Sequence, residues 1–407
     1  AFLKLNHMLS LLNKAKWLIG GNFVFAFSQW VILIFLARMT TQENLGQYSL
    51  ALAIVTPVFA IFNLQLRPLY ILDLNGEQKY RYSNFYYLRL ITSIVALFVC
   101  LFVCLFSNVS FFVVVLVAFL KFFEAYSDII YAYYNAHDQT KLISKSLFIK
   151  GVFSVGGMLI GLYFFNFYIA LILFLLIYLF VWLGLDNSYI VRTNELKKIR
   201  IDYSIMNLAI PMGISLGIVT LQSNIPRLFL GHYIGVKAVG VFTVLSYFII
   251  VGSIFINSIC QYLSPRLTRA WNSNKNEFRK ILFLAITIAG SLGVIAIIVS
   301  YFFGEFFLNL IYGEIYKEYT YEFNLIMVAG FILYVCTVLG YTLTAIGFIK
   351  KQAFLFSIVL IFSLLISYLC IPEYGVLGGI YTLIGSYSIQ CILSIFVILF
   401  LSKEKLK

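Results

Sequence analysis

For thirty-one consecutive residues, Leu90 to Leu120, the sequence carries no charged side chain. Runs of this kind recur from end to end and limit what the chain can become. Inside a bilayer no water satisfies a free backbone N–H or C=O, so a crossing segment must be a helix or part of a closed barrel. About 20 apolar residues at 1.5 Å each span a ~30 Å hydrocarbon layer, and runs without period-2 alternation choose helices. Of the 407 residues 62% are hydrophobic and 11% charged, against roughly 25% charged in soluble domains. The chain reads as a polytopic all-α membrane protein.

Apolar runs between polar breaks predict twelve helices. The first six lie near residues 17–38, 48–71, 85–106, 111–135, 143–165 and 167–190. The second six lie near 206–231, 237–264, 279–303, 319–347, 353–371 and 376–401. Trp17 to Ala37 is too long and too uniformly apolar for the core of a removable signal peptide. Of the 29 Lys and Arg, twenty-one fall on the side holding both termini. Three (Arg38, Lys237, Lys317) fall on the other side and five (Arg67, Arg89, Lys121, Lys150, Arg227) inside helices. Cytoplasmic loops carry the excess of basic residues, so both termini are expected in the cytoplasm. The net charge of +13 then reflects topology. The basic loops are short and dispersed, so no nucleic-acid partner is expected. The longest outer loop, Gly304 to Glu318, is too short for an external catalytic domain.

At an offset of 194 residues the two sets of six align without a gap. Gly46 meets Gly240 and Asn63 meets Asn257, while Leu36, Leu45, Tyr48 and Ser49 meet Leu230, Val239, Phe242 and Thr243. Six helices per half give both halves one orientation, a parallel repeat whose lobes can rock about a central cavity. The expected lobes are residues 1–191 and 206–407, joined by the charged cytoplasmic linker 192–205 that begins RTNELKKIRID. Pro57 and Pro211 interrupt helices as ordinary kinks or as gating hinges, and both readings stand.

Charge then returns abruptly in the fourth helix, at Lys121, Glu124 and Asp128. At 100° per residue these three fall with Tyr131 and Asn135 inside a sector of roughly 80°. Each charge at the bilayer centre costs at least ~2.5–3.5 kcal/mol, so the stripe must face protein or water. Lys121 and Glu124 can pair at i,i+3. Asp128 lies seven residues from Lys121 and needs an arginine from another helix, or a proton. Candidate polar lining on other helices is Asn22 and Gln29, Asn63, Asn257 and Gln261, and Thr337 and Tyr341; small polar residues of this kind also serve as interhelical glue. Arg67, Lys121 and Arg227 are placed deep. Arg89 and Lys150 lie nearer helix ends, where snorkelling into the headgroups competes with a cavity role. Counting only Glu124 and Asp128 as acids, the membrane interior is cationic and suits an anionic substrate, phosphate above all for arginine.

The six cysteines lie in apolar runs without disulfide or zinc spacing, and His7, His137 and His232 are scattered, so no metal or cofactor is expected. No G-x-x-x-x-G-K-[ST] run is present, so ATP hydrolysis by this chain is not expected either.

The stretch KFFEAYSDIIYAYYNAHD resembles the K-x-x-E-x-x-S-D-I-x-Y motif of Wzx-type O-antigen flippases. LAIPMGISLGIVTLQSNIPRLFLGHYIGVKAVGVFTVLSY resembles the start of their second half, with its N-I-P-R. NLIYGEIYKEY resembles a loop of the wider multidrug/oligosaccharidyl-lipid/polysaccharide superfamily. The resemblance implies a MATE-like fold of two six-helix lobes in the bacterial inner membrane, without catalytic residues. It implies an undecaprenyl-pyrophosphate-linked oligosaccharide as substrate, membrane lipid around it, and contact with the O-antigen polymerase machinery. Asp128 and Glu124 are the carboxylates able to couple transport to a proton or sodium ion. Two other classes remain. A cation-coupled multidrug antiporter would want a carboxylate in the first helix, which has none from Trp17 to Ala37. A glycan polymerase or lipid-linked glycosyltransferase would want larger loops.

Overall fold

The computed structural model describes residues 2–75, 79–188 and 202–404, so most of the expected linker, 192–201, lies outside the described residues. In the first half α1 (Phe2–Met39) is followed by α2 (Gln42–Phe62), α3 (Leu66–Asn75), α4 (Tyr82–Cys104), α5 (Phe111–Ala136), α6 (Thr140–Phe164) and α7 (Phe167–Val181). In the second half come α8 (Met206–Tyr233), α9 (Val236–Ser273), α10 (Lys275–Tyr312), α11 (Thr320–Ala345), α12 (Ile349–Tyr374) and α13 (Val376–Glu404). Among the described residues eleven spans are long and apolar enough to cross a membrane, α2 and α3 counting as one. The twelfth crossing is α5, whose 26 residues suffice in length but hold three charges in the middle. The protein is an all-α, multi-pass membrane protein.

Several boundaries differ from the hydropathy reading, each for a local reason. The expected second helix is broken. Leu64 and Gln65 adopt φ of 51° and 50°, and α3 restarts at Leu66. Pro68 accounts for the break: it has no N–H to give the carbonyl of Leu64, and its ring would clash there in a continuous helix. In the first turn of a new helix neither problem arises. The sixth helix passes through a π-helical turn, Trp182–Asp186, before Asn187 and Ser188 resume as helix. The helices α9 and α10 outrun the lipid, because a helical backbone continues after its side chains turn polar. They meet at Asn274, whose side chain accepts the backbone N–H groups of Asn276 and Glu277 and caps α10. Arg266 and Arg269 therefore sit on a helix, not in a loop. At the other end α10 reaches Tyr312 and stops at Gly313, φ 105°, followed by a 3-10 turn over Glu314–Tyr319. The expected fifteen-residue outer loop is thus mostly helical.

Two compact units are present, Ala1–Thr220 and Leu221–Lys407, divided within α8. In the first unit α1 packs along α6 and α5 touches α2, α3, α4 and α7. The α1–α6 contact is close because it is made by small residues. A Cβ on Gly21 would lie 2.8 Å from Ser144 Cα, and one on Gly151 would lie 2.7 Å from Ser28 Oγ. Without a hydrophobic drive between helices in lipid, such close approach is how they associate. A tyrosine-rich core ties α3, α4 and α5: Tyr82 and Tyr133 rings lie 4.8 Å apart and Tyr86 and Tyr126 rings 5.0 Å apart. Each hydroxyl needs a partner there. Tyr134 donates to the carbonyl of Asp186 at 2.9 Å, and Tyr86 to Asn187 Oδ1 at 2.9 Å, which pins the π turn to α4 and α5. In the second unit α11 packs on α9, α10 and α13, and α12 on α13.

Candidate functional site

The charged stripe of α5 opens onto a cavity of about 330 Å³ within the first unit. Arg67, Lys121, Glu124, Asp128 and Lys150 line it, with Asn22, Asn63, Ser127, Tyr131 and Tyr178. Leu216 and Thr220 of α8 complete the wall. Asn135, the last member of the stripe, does not line it.

Each conspicuous member of the α5 motif finds a different partner. Lys121 Nζ donates to Glu124 Oε2 at 2.7 Å, the expected i,i+3 pair. Asp128 takes Arg67 from α3 at 3.0 Å on one oxygen and Arg89 from α4 at 3.6 Å on the other. The break before α3 is what aims Arg67 at α5. At the same break the carbonyl of Asn63 accepts both the Leu66 N–H at 3.2 Å and Arg89 Nη1 at 2.8 Å. Ser127 donates to Asp186 Oδ2 at 2.7 Å, and the same oxygen accepts Lys150 Nζ at 2.6 Å. Lys150 also donates to Ser127 Oγ at 2.6 Å and to Tyr131 Oη at 3.1 Å. Tyr131 in turn shares a hydrogen bond of 2.7 Å with Ser146.

These partners correct the reading of Arg89 and Lys150 as snorkelling residues. Both are buried, with Arg89 0% exposed, so neither side chain reaches a headgroup. A buried cation must be paired, and each faces a carboxylate. The count of acids is corrected with them. Asp186, 1% exposed and at the depth of Lys150, is a third carboxylate beside Glu124 and Asp128. Around the cavity four cations (Arg67, Arg89, Lys121, Lys150) therefore stand against three acids (Glu124, Asp128, Asp186), and Asp128 serves two arginines. The cavity wall is nearly neutral, not strongly cationic, in its resting pairing.

The remaining expected residues are distributed between the units. Gln29 does not line the cavity; its amide donates to Tyr178 Oη at 3.4 Å. Arg227 belongs to the second unit, where it donates to Asn224 at 3.0 Å and to Ser246 at 3.2 Å. Asn224 and Arg227 are the ends of the N-I-P-R motif, so the motif closes on itself. In the same unit Gln261 donates to Tyr341 Oη at 3.4 Å, Asn257 to the carbonyl of Ser253 at 2.8 Å, and Thr337 to that of Leu333 at 2.9 Å. The last two are bonds to the helix's own backbone, as polar residues in membrane helices commonly make.

No family model matches the chain. A sequence relative, the capsular polysaccharide biosynthesis protein CapF of Staphylococcus aureus, is 28% identical over 387 residues, covering 92% of this chain and 95% of CapF. Among solved structures, an inward-facing multidrug resistance MATE family transporter of the MOP superfamily superposes with a TM-score of 0.76 at 13% identity, covering 93% of this chain and 96% of that one. The lipid II flippase MurJ, in an inward closed conformation, gives a TM-score of 0.73 at 13% identity, covering 93% of this chain and 86% of that one. The chain thus has a capsular polysaccharide biosynthesis relative along nearly its whole length and shares its fold with these transporters.

Proposed function

We propose that the chain flips an undecaprenyl-pyrophosphate-linked oligosaccharide, the repeat unit of an O-antigen or related surface polysaccharide, from the cytoplasmic to the outer leaflet of the bacterial inner membrane. Arg67 and Lys121, both only partly buried, open onto one polar cavity in a membrane helix bundle. That observation carries the reading. A sugar-pyrophosphate head needs such a hydrogen-bonding place, with cations that can exchange a carboxylate for its phosphates, while the polyprenyl tail stays in lipid. Both termini are cytoplasmic in this reading, the two halves alternate access, and no bond is made or broken.

The pairing explains how so many charges are tolerated. An unpaired buried ion costs several kcal/mol, so each cation is held against a carboxylate until substrate arrives. A pyrophosphate carries more charge than Glu124 or Asp128 and competes with them for Lys121 and Arg67. Binding exchanges one ion pair for another, so no bare charge is left at any stage. Arginine's fork suits the phosphate oxygens. The released carboxylates, Asp128 and Glu124, are the groups through which a proton or sodium gradient drives the cycle.

The test is complementation of a flippase-null strain that carries a defined glycan pathway. Restored surface glycan of the matching repeat unit supports the reading. Unrestored glycan together with export of cationic dyes would move the chain to the antiporter class.

A further inference from the structure

Opposite faces of α1 and α6 serve two different spaces. Leu18, Asn22 and Phe25 on α1, with Ile143, Leu147 and Lys150 on α6, face the polar cavity. Trp17, Gly20 and Val24 on α1, with Lys141, Lys145 and Phe148 on α6, line a second space, an apolar groove of about 870 Å³. Trp17, Lys141, Lys145 and Phe148 are all exposed there. The groove exists because the helices touch at Gly21 and Ser144 while Gly20, one residue along, has nothing within 4 Å of where a Cβ would stand.

We propose that this groove binds one anionic glycerophospholipid, an acyl chain lying over Gly20 and its phosphate held by Lys141 and Lys145. Charge complementarity commits the site to that occupant: two lysines stand on its wall and no carboxylate does. Lys141 Nζ also sits 5.8 Å from the centre of the Trp17 ring, which fixes the ammonium at the end of the groove. Tryptophan beside lysine is the pairing found at headgroup level, and the Lys/Arg distribution assigns this helix end to the cytoplasmic leaflet, the anionic one. The groove does not suit the glycan substrate. Ser144 is its one uncharged side chain with a hydroxyl, and that hydroxyl is already donated to the carbonyl of Thr140 at 3.2 Å. The rest of the lining offers no side-chain acceptor for a sugar's hydroxyls.

The inference is independent of the transport reading, because it concerns retained lipid and not export. The purified protein in mixed micelles is challenged with phosphatidylglycerol or phosphatidylcholine, and bound lipid is counted by native mass spectrometry. The expected preference for phosphatidylglycerol is about fivefold per lysine, so roughly 25-fold for the pair, from ~1 kcal/mol per basic residue at an anionic lipid surface. The Lys141→Gln/Lys145→Gln double variant alters only exposed residues and should lose that preference while still retaining lipid. Gly20→Phe starts from a position with nothing within 4 Å of its Cβ, puts a ring into the groove, and should lose retention of both lipids. Equal retention of the two lipids by the unmodified protein overturns the proposal. So does a preference that survives the double variant.

Discussion

Asp128 on α5 holds two arginines from two other helices, Arg67 at 3.0 Å and Arg89 at 3.6 Å. Glu124, one turn away, holds only Lys121 on its own helix. The two acids are therefore not equivalent. Replacing Asp128 by Asn leaves Arg89 buried without a counter-charge, which costs about 3 kcal/mol, the lower end for a broken buried pair, because Asp128 itself is 27% exposed. Glu124 is 41% exposed, and an exposed pair contributes roughly 0–1 kcal/mol. Asp128→Asn should lower the unfolding temperature in detergent and reduce surface glycan, with Glu124→Gln much milder in both. Matching thermal curves and near-normal export for both variants would remove the distinction.

The buried pair Lys150–Asp186, 2.6 Å apart, calls for a different comparison. Lys150→Met or Asp186→Leu alone strands a buried partner and should destabilise by roughly 3–5 kcal/mol. The double variant Lys150→Met/Asp186→Leu removes both charges and should be less destabilised than the sum of the singles, a coupling read from a thermal double-mutant cycle. Strict additivity would mean the pair does not act as one.

Arg67 and Lys121 face the cavity and are offered to substrate. Arg67→Ala and Lys121→Ala should cut surface glycan while the protein still reaches the membrane, and Arg67→Lys and Lys121→Arg should be milder because they keep the charge. The same substitution at Arg227 asks whether its charge is needed or only its bonds to Asn224 and Ser246. Normal export by all three alanine variants would end the cationic-binding account.

The strained break before α3 has its own signature. A non-glycine residue in the left-handed region costs about 1–2 kcal/mol, so Gln65→Gly should raise stability by about 1 kcal/mol, whereas Gln65→Val should lower it. Thermal unfolding of the two variants reads this directly, and a stabilising valine would contradict the geometry.

Much of this was legible in the residues. The α5 stripe announces itself because charge inside hydrocarbon is costly, and the motif's spacing already separates Lys121–Glu124 from Asp128. What hydropathy could not show is where a helix stops when its side chains become polar, hence the longer α9 and α10. Pro68 is a readable signal for the break at Asn63–Gln65. Asp186 was readable too, as an acid inside the expected sixth helix. Its pairing with Lys150 depends on a π turn that no period in the sequence announces, and without that partner Lys150 looked like a headgroup residue.

The central claim is that this chain moves a lipid-linked glycan across a bilayer. The direct measurement is transbilayer movement of undecaprenyl-pyrophosphate-linked oligosaccharide in proteoliposomes, followed by exposure of its sugar to an enzyme added outside. The account predicts faster exposure than in protein-free vesicles, slowed in Arg67→Ala and accelerated by an imposed proton or sodium gradient in an Asp128-dependent way. Exposure at the protein-free rate, with or without a gradient, would contradict it.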